Sequence, residues 1–458
     1  MNVLDLTAVG CGPFNLSLAA LASRVSDLRF RAFDAAAGIC WHPGLMLENA
    51  MMQTSFLADL VSLVDPTHPL SFLNYLAEED RMYAFYIREE FHCRRREHEA
   101  YLKWAAARLT SLSFEHRINA VEWDEAADAL ALSVSDTSSG ASVREQRILT
   151  RHAVLGLGTE PRVLKPFAEL APRHWLHTSQ YLFRQDDLRR APSITVVGSG
   201  QSGAEVFFDL LTRYPDKKIA WFTRTSSFAP LDYTKLVLEM TTPEYMHYFH
   251  GLAPARRDAL MREQWRHYKG ISSDTLAQIF DELYQRRCHR GVMPTLRFGV
   301  EIERVRAAGE GVCLTAHHAD LDERFEHDSG MVILATGYQP RALDILDPIK
   351  DRLSFDAQGR PALDIGHAIE ADGPLGGRLF VVHGDIHTHG AAAPDLGICA
   401  YRSASILNRV TGEPVFRLPQ RTAFSQFGIG TAAPPSTISD VPPLRASAST
   451  TPRQELQP

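Results

Sequence analysis

Two glycine-rich turns hold the residues of this chain best suited to chemistry: Gly10-Cys11-Gly12-Pro13-Phe14-Asn15 and Gly198-Ser199-Gly200-Gln201-Ser202-Gly203. Glycines let the backbone approach a pyrophosphate, and a helix that starts at such a turn aims its N–H groups and positive dipole end at the phosphates. Two turns therefore predict two bound dinucleotides with electrons passing between them. The corners that follow differ. The strand over residues 28–33 ends in Asp34, whose carboxylate can accept hydrogen bonds from a ribose, as in flavin and NAD sites. Residues 219–222 run instead into Thr223-Arg224 with no acid, and arginine at that corner suits the 2′-phosphate of NADPH.

Positioning such turns takes an α/β fold with two Rossmann-like units. The apolar run Leu4–Val9 precedes the first turn, and Ile194-Thr195-Val196-Val197 precedes the second. Helical segments are expected around residues 71–77 and 97–109, and strands over 153–159 and 331–335. Between Leu231 and Arg287 the chain turns helical, with caps at Thr242-Pro243-Glu244 and Ser273-Asp274. Beyond about Leu418 the sequence is dominated by Pro, Ser, Thr and Ala, which predicts a disordered tail over 418–458. The expected division is a discontinuous FAD domain (1–165 and 325–417), an NADPH domain (166–230 and 288–324) and a small helical substrate segment (231–287).

At 458 residues, 45% hydrophobic and 22% charged, the chain can bury two or three substantial cores. A net charge of -7 offers no basic surface to nucleic acid or to an anionic membrane. No apolar run reaches membrane-spanning length and the N-terminus lacks a basic leader, so a cytoplasmic protein is expected. The six cysteines form no CxxC, which argues against a zinc site or a redox-active pair and against a flavin disulfide reductase. His383, His387 and His389 crowd one segment, yet a metal hydrolase would leave both dinucleotide turns unexplained; no metal is expected.

Seven runs together resemble the flavin-dependent N-hydroxylating monooxygenases that act on lysine, ornithine and aliphatic diamines in hydroxamate siderophore biosynthesis. They are residues 9–18, Trp41-His42-Pro43-Gly44, Gln53-Thr54-Ser55-Phe56-Leu57, residues 71–76, Gly198 to Gly203, Ala335-Thr336-Gly337-Tyr338 and Thr388-His389-Gly390. Asn15, which departs from the general glycine motif, is what this family carries. The resemblance implies that NADPH reduces FAD and that a C4a-hydroperoxyflavin then transfers oxygen to a primary amine. It puts Gln53 at the flavin's reactive edge and Trp41, His42, Thr336 and Gly337 along the cofactors, with Arg224 on NADPH. It also implies a homo-oligomer, a dimer or tetramer. A free alkylammonium has a pKa near about 10.4, so the site must hold the reacting nitrogen neutral.

Departures from the family pattern bear on the substrate. Amino-acid members usually carry Phe-Leu-Lys-Asp after the glutamine, and the lysine pairs with the substrate carboxylate; this chain has Phe56-Leu57-Ala58-Asp59. Leu238 stands where ornithine-type members have asparagine and lysine-type members aspartate, and Gly270 replaces a second asparagine of the ornithine type. A buried carboxylate without its cation costs several kcal/mol. Putrescine, cadaverine or 1,3-diaminopropane is therefore the expected substrate, and residues 85–89 and 393–397 resemble the diamine branch. The alternative is an amino acid held by another cation such as Lys269 or Arg88. The second ammonium would want an acid, for which Asp59, Glu239 and Asp395 are candidates, and Asp385 and His389 are possible neighbours of flavin or substrate.

Overall fold

The computed structural model describes residues 3–138, 145–289 and 291–429. Two parallel sheets organise it. In the first, Leu112–Ser113, Phe30–Phe33, Leu4–Val9 and the long strand Glu145–Leu155 run side by side in parallel. The N-terminal half of Glu145–Leu155 pairs antiparallel with Ala129–Asp136, which continues to His116–Asp124, while its C-terminal half also pairs in parallel with Leu379–Val381. The second sheet has the order Thr295–Arg297, Lys218–Phe222, Ser193–Val197, Met331–Leu334, Trp175–His177, all parallel. Its three central strands read as nearly continuous apolar runs because both faces are covered, while the edge strand Thr295–Arg297 is exposed.

One face of the second sheet packs on the helix Gln201–Arg213 and on Tyr181 and Leu188. The other is covered by the antiparallel meander Val300–Ala308, Gly311–His318, Glu323–Ser329. The expected domain boundary needs correcting here. Met331–Leu334 pairs with Ser193–Val197, so the second unit reaches past residue 325. The chain crosses between the units twice, and the two crossings pair as an antiparallel ribbon, Thr159–Pro161 with Tyr338–Pro340.

Both glycine turns leave the C-terminal end of a central strand, where neighbouring strands part and leave a crevice. Gly10 has φ +91°, and a Cβ there would stand 2.4 Å from the Gly156 carbonyl oxygen. Gly198 has φ +136°, with a Cβ only 2.1 Å from the Ala335 oxygen. Neither position tolerates a side chain.

The helical segment differs from expectation at its far end. Residues 418–429, expected to be part of a disordered tail, run over the helix Pro243–His250 and hydrogen-bond to it; residues 430–458 lie outside the described residues. Among the described residues no helix is long and apolar enough to cross a membrane.

Candidate active site

The helices that follow the two turns, Pro13–Ala22 and Gln201–Arg213, start without a side-chain cap, so first-turn N–H groups are left to a ligand, apart from that of Gly203, which donates to the Gly200 carbonyl at 3.0 Å. A Cβ on Gly12 or Gly200 would meet nothing within 4 Å, leaving open space where phosphates belong. Asp34 is held beside the first turn by the Cys11 N–H, which donates to Oδ2 at 2.7 Å, and by the Ala36 N–H, which donates to Oδ1 at 2.8 Å. Asn15 braces the same turn: its Nδ2 donates to the carbonyls of Val9 and Gly10, both at 2.9 Å, and its Oδ1 is buried without a partner. His383 Nδ1, Asp385 Oδ1 and Arg402 Nε are also buried and unpartnered around Phe14, with the His383 ring 5.7 Å and the Arg402 guanidinium 4.9 Å from its ring. Buried polar atoms are nearly always satisfied, so this first cradle fits an extended polar ligand such as FAD.

At the second turn the corner residue Arg224 is exposed, and no ion pair involves it among the described residues. Burial first, and then the charges of Arg162 and Arg224, push the Lys269 ammonium below its usual range. Cations near enough to influence one another fit a phosphate at this corner.

Between the turns and the helical segment lies a cavity of about 300 Å³. Trp41, His42, Gln53 and Arg95 line it from the first unit, and Gln201 and Ser202 from the start of the second helix. Leu231, Tyr233, Leu238 and Tyr268 wall it from the helical segment, and Ala391 to Leu396 close its other side. Gln201 is the junction. Its Oε1 accepts the Ser272 N–H at 2.8 Å and the Gln53 Nε2–H at 3.4 Å, and its Nε2 donates to Glu205 and Thr275 at 3.0 Å each. Arg95 spans the two units by pairing with Glu205 at 2.7 and 3.0 Å, both side chains nearly buried. Asp395 is the one carboxylate on the cavity wall among the described residues. Its Oδ1 accepts the Gly397 N–H at 2.6 Å, and burial, which outweighs that bond, raises its carboxyl above the usual range. Burial and then the Arg95 charge push the His42 imidazole down to about 4, so it stays neutral at working pH.

Residues 2–340 match the family described as L-lysine 6-monooxygenase/L-ornithine 5-monooxygenase. The chain belongs to this family. It is 36% identical over 428 residues to a putrescine N-hydroxylase of Shewanella oneidensis, covering 93% of this chain and 84% of that one. The FAD-bound cadaverine monooxygenase DfoA of Erwinia amylovora superposes with a TM-score of 0.90 at 36% identity, over 94% of this chain and 100% of the other. The ornithine N-hydroxylase KtzI of Kutzneria, solved with reduced FAD, NADP⁺ and L-ornithine, gives a TM-score of 0.82 at 25% identity, over 90% of this chain and 99% of the other. The chain is an N-monooxygenase with an α/β, two-Rossmann fold that uses FAD and NADPH.

Within this monooxygenase frame, Trp41, His42, Gln53, Gln201, Ser202, Leu238 and Asp395 line one cavity. Others do not. Glu239 is spent on the backbone N–H groups of Phe424 and Ser425, both at 2.9 Å. Asp59 is saturated by Val61, Ser62 and Phe72 N–H groups at 2.6 to 2.9 Å. Gly270 contacts no open space: a Cβ there would stand 2.5 Å from Leu231 N and Cα, so this glycine lets the Leu231 backbone approach. His389 is fully buried, its ring stacked 4.0 Å from His367, outside the cavity lining.

His367, Asp385 and His389 bring ligand atoms within 4.8 Å of one another, a spacing a metal could use. Arg402 already stands 3.3 Å from Asp385 Oδ2 and supplies the positive charge. Burial alone would raise the Asp385 carboxyl, but Arg402 and then the His367 hydrogen bond hold it well below the usual range. Ala58 lies near the acidic end of the cavity, since a Cβ on Gly397 would be 4.0 Å from its own Cβ. Thr336 and Gly337 brace the crossing ribbon instead of lining the cavity: Thr336 Oγ1 donates to the Arg162 carbonyl, and the Gly337 oxygen lies 3.0 Å from His177 Nε2. Sequence reasoning missed Arg95, Tyr233, His267 and Tyr268. Arg95 sits in the run Arg94-Arg95-Arg96-Glu97, which reads as a solvated helix face.

Proposed function

We propose that this monooxygenase N-hydroxylates one primary amine of an aliphatic diamine, putrescine, cadaverine or 1,3-diaminopropane, to supply a hydroxamate siderophore. The observation that carries the reading is the charge at one end of the cavity. Ala58 leaves no lysine for a substrate carboxylate, and Asp395 offers a desolvated acid to a second ammonium. Arg95 cannot substitute for the missing lysine, because Glu205 occupies it. Lys269 sits among the cations of the second turn, and Arg88 donates to the His92 carbonyl at 2.7 Å. Lysine or ornithine would therefore bring a carboxylate to a cavity wall that carries an acid, Asp395, and whose one Lys or Arg among the described lining residues, Arg95, is paired with Glu205.

FAD would be held by Gly10, Gly12, Pro13, Asn15 and Asp34, with Trp41 and His42 alongside. NADPH would be held by Gly198, Gly200, Gln201, Ser202 and Gly203, with Arg224 on the 2′-phosphate. With both bound, the cofactors would supply two electrons from NADPH and activated O₂, one oxygen atom being added to the amine nitrogen and the other leaving as water. The chain's own part is to bind, orient and dry. Asp395 fixes one ammonium, so the other amine is directed along the cavity toward Gln53. Trp41, Met52 and Leu238 exclude water there, which favours the neutral, nucleophilic amine. Gln53, tied to Gln201, keeps the two nucleotide units in register at the reacting end.

The test is turnover of putrescine, cadaverine and 1,3-diaminopropane under ¹⁸O₂ with NADPH and FAD-loaded enzyme. The expected product, from at least one of them, is the N-hydroxylated diamine carrying one ¹⁸O; unlabelled product, or peroxide alone with all three, would overturn the reading. We also propose self-association. The helix Met82–Arg88 buries none of its residues and leaves Tyr83, Tyr86 and Ile87 at least 73% exposed, a face suited to a second copy. Light scattering should give a multiple of 51.1 kDa, and a monomer would refute it.

A further inference from the structure

Four consecutive backbone N–H groups, those of residues 422–425, are accepted by two carboxylates. Thr422 and Ala423 donate to Glu244, the latter at 2.8 Å. Phe424 and Ser425 donate to the two oxygens of Glu239 at 2.9 Å each. The clasp is reciprocal: the Glu244 N–H donates to Thr422 Oγ1 at 3.2 Å, and Arg421 Nε lies 3.5 Å from the Glu244 carboxylate. Further along, the Phe427 ring meets Tyr245 edge-on at 5.1 Å and Tyr248 at 6.0 Å.

Both anchors sit directly behind the cavity walls. Glu239 follows Leu238, which lines the cavity, and the short helix Lys235–Leu238 that carries it buries no residue of its own. Glu244 lies in the first turn of Pro243–His250, whose Met246 packs on Ala392 and Ile398 beside the Asp395 loop. On the same helix, the Phe249 ring would be 2.9 Å from a Cβ at Gly390. A wall segment with little burial of its own takes its position from what binds it.

We propose that residues 421–427 are a strap that sets the position of Leu238 and so the width of the diamine site, with Glu239 and Glu244 as positioning residues. This rests on the reading of the cavity as the amine site. Charge-assisted bonds from four amides to two carboxylates hold the wall in; without them it swings out, and water reaches the reacting nitrogen.

The experiment compares the full chain with truncations after Ile429 and after Leu418, and with Glu239→Ala, Glu239→Gln and Phe427→Ala. Each is assayed for diamine KM, kcat, peroxide released per NADPH, FAD content and NADPH KM. The chain ending at Ile429 should match the full chain. The chain ending at Leu418 and Glu239→Ala should raise diamine KM about tenfold and divert NADPH oxidation to peroxide, with FAD content and NADPH KM unchanged. Glu239→Gln, which keeps an acceptor, should recover part of the coupling. Unchanged KM and coupling in Glu239→Ala and Phe427→Ala would overturn the strap even if the shorter chain fails to fold, as would a raised KM in the chain ending at Ile429. If the full chain turns over no diamine, the cavity reading itself fails, a result separate from any strap outcome.

Discussion

Replacing Asp395 with asparagine removes a charge while keeping the local fold, because the amide oxygen can still accept the Gly397 N–H. An ammonium about 4 Å from a carboxylate at an effective dielectric of 20 gains about 4 kcal/mol. Desolvating both groups returns much of that, leaving the range of a charged hydrogen bond, about 1.5–3 kcal/mol. Asp395→Asn should then raise diamine KM about 10- to 100-fold. The effect on kcat should be smaller, since the lost contact is made equally in the ground and transition states. NADPH KM should stay put, since Asp395 is not among the residues proposed to hold NADPH, although it shares the cavity lining with Gln201 and Ser202. The pH profile adds a check. Burial raises the Asp395 carboxyl, so its anion is lost on acidification earlier than for a free aspartate, and diamine KM should climb as pH falls through that raised value. Steady-state rates of hydroxylamine formation measure all of this. A diamine KM within about twofold of wild type would mean that Asp395 does not hold the second ammonium.

Three further outcomes follow from the same geometry. Arg224→Gln should raise NADPH KM about tenfold or more while leaving NADH KM unchanged, because it removes a charged bond to the 2′-phosphate; equal effects on both nucleotides would contradict the assignment. Glu205→Ala strands the Arg95 guanidinium between the two units, and breaking a buried pair costs about 3–5 kcal/mol, so the melting temperature should drop sharply and Arg95→Met should partly rescue it. His98 is 6% exposed and burial holds its imidazole at about 4, whereas the unfolded chain takes up that proton near about 6.5. The unfolded state binds more protons between those values, so stability falls on acidification, by about 2 kcal/mol from His98 at pH 5, and His98→Gln should flatten the acid limb of a melting-temperature profile.

The parts legible in the sequence were those where backbone geometry dictates residue type. Gly10 and Gly198 had to be glycine, with a carbonyl oxygen within 2.4 Å of any Cβ, and so the two nucleotide units could be read off the chain. Asn15 was legible through the family resemblance, and its amide proves to be a brace across the turn. Leu238 stood out as a departure from the family pattern and Asp395 as one of three acids open to a second ammonium, and both line the cavity. Partner choice over long range was hidden. A four-residue apolar strand such as Met331–Leu334 fits either sheet, and only the register with Ser193–Val197 assigns it. Glu239 looked like a substrate acid because sequence cannot reveal that a tail of small polar residues brings back two backbone N–H groups to it. Composition gave the tail no core to join, yet its binding is through amides that every residue but proline carries. Arg95 and Glu205 were missed for a similar reason: charges on amphipathic helices read as solvated until two domains close over them.

The central claim is a diamine substrate chosen by charge. Its most direct test is coupled hydroxylamine formation by FAD-loaded enzyme with NADPH and O₂, measured over 1,3-diaminopropane, putrescine, cadaverine, ornithine and lysine with peroxide followed in parallel. Coupled turnover of a diamine with both amino acids nearly inert is the predicted result. Efficient, coupled turnover of lysine or ornithine would contradict it and require a carboxylate partner that neither Ala58, which has no cation, nor Arg95, which is paired with Glu205, supplies.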